Sequence, residues 1–230
     1  MTKKLSPNGI NKPKDFPIDS YESIYKEIVS KKSSDTNYHH FSGAWNALAY
    51  RYKAMIDHGD AFTESLKEYG TAPEPEQRYQ QEKNLFDFFN ACFSCFESLS
   101  YALYIVGYFI SPSNFEISTP KHLQSITPKK TKELFEKTFS SEDIVIELNN
   151  LSNNPEYQKI REIRNILAHR TAPGRTLYVS TGSENSPATE WKLNNSPLDN
   201  SLITNSQKNV SDFLEILLES FDKFIKLKSI

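Results

Sequence analysis

The sequence predicts a mainly α protein: an up-and-down bundle of about four long helices, with short extra helices and one small β-hairpin insertion. Three observations carry this expectation. Glycine is scarce, at seven in 230 residues, about half of the ~7% average usage. Two stretches of more than thirty residues, 37–69 and 76–110, carry apolar residues at helical spacing with no proline inside them. Near the end, SQKNVSDFLEILLESFDKFIKLK repeats apolar residues every three or four positions.

The elements follow in order. Residues 1–17 hold three prolines, one glycine and little periodicity, and read as a flexible N-terminal arm. The remainder, 18–230, reads as a single helical domain. In SYESIYKEIVSKK, Tyr21, Ile24, Tyr25, Ile28 and Val29 mark a short amphipathic helix over 20–32. SSDT at 33–36 breaks it and caps the next one. Phe41, Trp45, Leu48, Tyr52, Met55 and Ile56 form the stripe of the 37–69 helix, with Gly59 a candidate interruption and Gly70 a stop. TAPEPEQ is a loop whose acidic end favours a helix start.

The 76–110 helix carries Leu85, Phe86, Phe88, Phe89, Cys92, Phe93, Phe96, Leu99 and Tyr101 on more than one face, so it is expected in the bundle centre or against a second chain. A loop is read over 111–127. Thr127-Pro128 opens a helix to 139, since proline suits the first helical position. Ser141 is the expected cap of a short helix to 151, and Asn154-Pro155 opens another. TLYVS and TEWKL alternate well enough to pair as a hairpin at about 175–193. The final helix is read over 206–228.

Net charge is −2, so global electrostatics do not draw the chain to nucleic acid or to an anionic membrane; a polyanion site must be local. The most apolar run, YALYIVGYFI at 101–110, has ten residues, short of the ~18–20 that span a bilayer. No apolar run follows the basic start MTKKL, so no secretory signal is read there, and a cytoplasmic location without membrane association is expected. Cys92 and Cys95 form a CxxC inside a helical pattern with no second cysteine pair. They read as two buried thiols rather than as a zinc or redox site. His39, His40, His58 and His122 stand in no HExxH or comparable pattern, and no metal or cofactor is expected.

One decapeptide stands apart. REIRNILAHR at 161–170 holds three of the six arginines and one of the five histidines. On a helical wheel Ile160, Ile163, Ile166 and Leu167 share one arc, and Arg161, Asn165 and His169 stack along the opposite line. Arg164 lies between the two. Residues 155–176 carry Lys159, Arg161, Arg164, Arg170 and Arg175 against only Glu156 and Glu162. Arginine offers a planar fork of donors suited to phosphate oxygens, and histidine exchanges a proton near neutral pH. RNA carries its own nucleophile, the 2′-hydroxyl. One histidine and one arginine therefore suffice, in principle, to cleave RNA without metal.

The string Arg164-Asn165-Ile166-Leu167-Ala168-His169 resembles the Arg-x4-His signature of the HEPN superfamily, including the polar residue after the arginine. The resemblance implies a helical bundle that homodimerises and pairs two motifs in one cleft. It also implies a metal-independent endoribonuclease in a toxin–antitoxin, phage-defence or RNA-processing setting, with RNA and an antitoxin or other protein as partners. Residue by residue, His169 would be the acid/base, Arg164 the phosphate clamp and Asn165 an orienting residue. From the wheel and the charge count, Lys159, Arg161, Arg170 and Arg175 are added as phosphate- or RNA-binding candidates. Two other readings stand beside this one. The bundle could be a non-catalytic module that binds RNA, nucleotide or protein through the basic helix. Alternatively, Arg164 and His169 could serve only as hydrogen-bonding groups inside the bundle.

Overall fold

The computed structural model describes residues 9–169, 172–178, 188–193 and 196–229. Among them the order is α1 (Ile18–Lys32), α2 (Tyr38–Tyr69), α3 (Pro75–Ile110), α4 (Pro120–Gln124), α5 (Pro128–Thr138), α6 (Asp143–Asn153) and α7 (Pro155–His169). Strands β1 (Arg175–Tyr178), β2 (Ala188–Leu193) and β3 (Ser196–Pro197) follow, then α8 (Asn200–Lys228). The chain is a mainly α bundle with a small three-stranded antiparallel sheet.

α3 is the central helix. It pairs most extensively with α2 and also packs against α5, α7 and α8. Its length and apolar content would allow it to cross a membrane, but two thirds of its most apolar window is buried inside the bundle. Phe88, Phe89, Phe96, Leu99 and Leu103 are all buried, each contributing about 1.5–3 kcal/mol relative to exposure. Of the apolar residues expected to build the α3 surface, Phe86 remains exposed. Cys92 and Cys95 are unbridged and buried, and burial pushes both thiols up, which keeps them from reacting as thiolates.

Gly59 does not interrupt α2. It lies where α2 meets α3 and α8, and a Cβ there would sit 2.5 Å from Gln207 Nε2 and 3.1 Å from the Phe88 ring. The glycine marks a close approach, not a break. The segment before α1 also differs from a loose arm over its described part. Phe16 is buried and packs edge-on against Tyr21 and Tyr52, each at 5.1 Å. The Asp15 carbonyl accepts from Tyr52 Oη and Ser211 Oγ. Residues 1–8 lie outside the described residues.

The remaining boundaries shift for local reasons. Thr119 caps α4 by accepting from the His122 N–H, placing a short helix inside the expected 111–127 loop. Thr127 caps α5 through the Lys130 N–H, as its sequence predicts. α6 starts after Glu142 and has no side-chain cap, so Ser141 does not play the expected role. α8 begins six residues earlier than its apolar repeat, because Asp199 accepts from the Leu202 N–H. β1 and β2 pair in the expected hairpin, with Arg175 opposite Trp191. β3, which the sequence reading missed, adds Lys192 opposite Pro197. The connection at 179–187 lies outside the described residues.

Candidate functional site

α7 is positioned by its apolar stripe. Asn154 Oδ1 accepts from the Glu156 N–H at 2.9 Å, and Pro155 stands at the first helical position. Tyr157, Ile160, Ile163 and Ile166 are buried. Tyr157 packs edge-on to Phe96 at 5.1 Å, which ties the helix to α3. Burial pushes the Tyr157 phenol up to about 12.

The stripe leaves three residues outward. Arg161 and His169 are exposed and Asn165 is half-buried. Arg164, between the two faces, leans toward α3. Its Nη2 donates to Glu97 Oε1 at 3.2 Å and its Nη1 to Asn165 Oδ1 at 3.1 Å. Its guanidinium lies 5.1 Å from the centre of the Phe93 ring, and its side chain keeps 22% of its exposure. Glu97 is fixed in turn, because Ser94 Oγ donates to its Oε2 at 3.1 Å. Arg164 is therefore oriented on three sides, with its Nε buried and unbonded. His169 stands at the end of the helix with no hydrogen bond or ion pair among the described residues.

The other candidates separate. Arg161 opens toward α5, in a notch shared with Lys129 and Lys132. Lys132 donates to Asn149 Oδ1 at 2.9 Å. Lys159, about 200° around the helix from Arg161, lines a different groove with Asp199 and Lys208 at the start of α8. Arg175 is a rivet of the hairpin. Its Nη1 donates to the Thr71 carbonyl at 2.9 Å and its Nη2 to Gln81 Oε1 at 3.0 Å. Its guanidinium lies over Trp191 at 3.9 Å, Glu82 stands 3.8 Å from its Nε, and only 7% of the side chain is exposed. The structure thus brings Arg164 and Asn165 together on the helix that ends in His169, turns Arg161 toward α5, and places Lys159 and Arg175 elsewhere. Arg170 lies outside the described residues.

A feature absent from the sequence reading borders this site. Arg51 of α2 reaches the same turn of α3 from the other side. Its Nη1 donates to the Ser94 carbonyl at 3.1 Å and to Ser98 Oγ. Arg51 and Glu97 line a groove of about 370 Å³ between α2 and α3. Tyr101 also lines this groove and shares a 3.2 Å hydrogen bond with His40 Nδ1. Burial, then the neighbouring His39, lowers the His40 pKa. Arg51 is 113 residues from Arg164, so no local sequence window could have joined them.

Among the described residues no three His, Cys, Asp or Glu side chains converge in a way that could hold a metal ion. No family model, curated protein or solved structure matches the chain.

Proposed function

We propose that this protein is a metal-independent endoribonuclease of the HEPN type, with α7 as its catalytic helix. One observation carries the reading. Arg164 is held in a fixed orientation by Glu97, Asn165 and Phe93, while His169 on the same helix is exposed and free of partners among the described residues. An oriented guanidinium and a solvent-facing imidazole are the two groups that 2′-hydroxyl attack on a phosphodiester requires.

In this reaction the 2′-hydroxyl loses its proton to an imidazole as its oxygen attacks phosphorus. The P–O5′ bond breaks, and the 5′-oxygen leaves with a proton. The products are a 2′,3′-cyclic phosphate and a 5′-hydroxyl. Arg164 stabilises the extra charge on the pentacovalent phosphorus. A single imidazole must serve as base and then acid, and a second copy of α7 supplies the other role if two chains pair about a two-fold axis. A homodimer is therefore part of the proposal, as is a cytoplasmic toxin or phage-defence setting with an antitoxin or other protein partner.

The Arg164–Glu97 pair also favours a second reading, in which Arg164 only pins α7 to α3. The test is cleavage of single-stranded RNA by purified protein in excess EDTA, beside His169→Ala and Arg164→Lys. Under the ribonuclease reading the wild type cuts and both variants lose activity, His169→Ala at an unchanged melting temperature. Absence of cutting, or cutting by His169→Ala at the wild-type rate, removes this reading.

A further inference from the structure

Two arginines, Arg51 from α2 and Arg164 from α7, reach the Ser94–Ser98 turn of α3 from opposite flanks. Among the described residues that line the groove beside Arg51, Glu97 is the one carboxylate, and it is bound to Arg164. Among the described residues Arg51 forms no ion pair, and its hydrogen bonds leave from Nη1, to the neutral oxygens of Ser94 and Ser98. A guanidinium anchored by one nitrogen retains donors for an anion. Beside it the groove is walled by Ala44, Ala47 and Ile126, and Tyr101 forms part of its lining. The hydroxyl of Tyr101 is tethered to His40. A fixed aromatic ring next to a cation is the arrangement that takes a nucleotide: phosphate on the arginine, base against the ring. The volume, about 370 Å³, falls within the ~300–1,000 Å³ of small-ligand sites.

We infer that the α2–α3 groove is a nucleotide subsite, holding a residue of single-stranded RNA next to the one cut at α7. Arg51 binds its phosphate and Tyr101 its base. The ligand assignment rests on the ribonuclease reading. Glu97 has a defined part here: it lines the groove and holds Arg164.

Gly43 supplies a clean test. It lines the groove, and a Cβ built on it meets nothing within 4 Å. Gly43→Leu therefore starts a side chain in open space at the groove wall, and leucine is the better helix former. Arg51→Gln removes the cation while keeping a donor for Ser98. Both variants, the wild type and His169→Ala would be given a labelled eight-nucleotide single-stranded RNA in EDTA, reading binding, cleavage and melting temperature.

If the wild type cuts, the subsite predicts that Gly43→Leu and Arg51→Gln each raise KM about tenfold at unchanged melting temperature. Arg51→Gln should also reduce the salt dependence of binding to His169→Ala protein by about one unit of log–log slope. Cutting by both variants with the wild-type KM overturns the subsite and leaves the ribonuclease reading standing. Binding without cutting, weakened in both groove variants, removes the ribonuclease reading and keeps the groove as a nucleotide site. RNA that is neither bound nor cut overturns both.

Discussion

Arg164 and Arg175 have matching surroundings and opposite accessibility. Each has a carboxylate nearby, a side-chain amide oxygen as acceptor and an aromatic ring against its guanidinium. Arg175 adds a backbone carbonyl and is 7% exposed; Arg164 is 22% exposed and sits one helix with an exposed histidine. Both answer the same description in the sequence, a cation in a basic segment. The difference teaches that an arginine is available to phosphate only where its donors are incompletely satisfied by the fold. Arg175 is consumed in fastening the hairpin to α3 and to the turn that precedes it, whereas Arg164 is steadied at the edge of an open face.

The sharpest break of this comparison is on the α7 side. His169→Ala should lower RNA cleavage by roughly 10²–10⁴-fold with no change in melting temperature, because the exposed ring makes no hydrogen bond or ion pair among the described residues. Arg164→Lys keeps the charge but loses the fork that spans Glu97 and Asn165. Cleavage should fall by roughly 10²-fold, measured on the same oligonucleotide. Arg175→Ala is the opposite case. It strands the Gln81 amide and the Thr71 carbonyl and should destabilise by about 2–3 kcal/mol, a drop of roughly 5–10 °C for a chain of this length. At temperatures where the variant stays folded, RNA affinity should match the wild type, and a loss of affinity without a fall in melting temperature would make Arg175 a ligand residue after all.

Two smaller effects sharpen the picture. Glu97→Gln keeps the shape of the Arg164 acceptor and removes its charge, so RNA should bind about two- to fivefold more tightly, read by anisotropy at low salt. His40 is the pH-sensitive residue behind the groove, hydrogen-bonded to the Tyr101 hydroxyl. Its folded pKa lies below the ordinary histidine value, so below about pH 6.5 the unfolded chain binds more protons than the folded one. Stability is therefore fully present above that pH and declines as the pH falls toward the folded pKa. A modest decline in melting temperature between pH 7 and 5.5, reduced in His40→Gln, is the expected signature.

Much of this was legible in the sequence. The limits of α1, α2 and α3 fall within two residues of the spans set by their apolar periods, and Thr127 caps α5 as its position implies. The α7 wheel placed Ile160, Ile163 and Ile166 inward and Arg161 and His169 outward, as the structure has them. Less local features were not legible. Asp199 moved the start of α8, since a cap lies outside the apolar repeat it starts. Gly59 looked like a break because sequence records its missing side chain but not the Gln207 amide and Phe88 ring that need the space.

By itself, then, the sequence determined the helices, their inward faces and the clustering of Arg164, Asn165 and His169 on one of them. These depend on 3.6-residue periodicity and on neighbours a few positions away. Only the tertiary structure decided which cations are engaged. Glu97 lies 67 residues from Arg164, the Gln81 and Thr71 acceptors lie 94 and 104 residues from Arg175, and Arg51 meets the Arg164 turn across α3. Charge count is a property of composition. Whether a guanidinium has donors left for a ligand is a property of packing, because it is set by which acceptors the folded chain brings within about 3 Å of it.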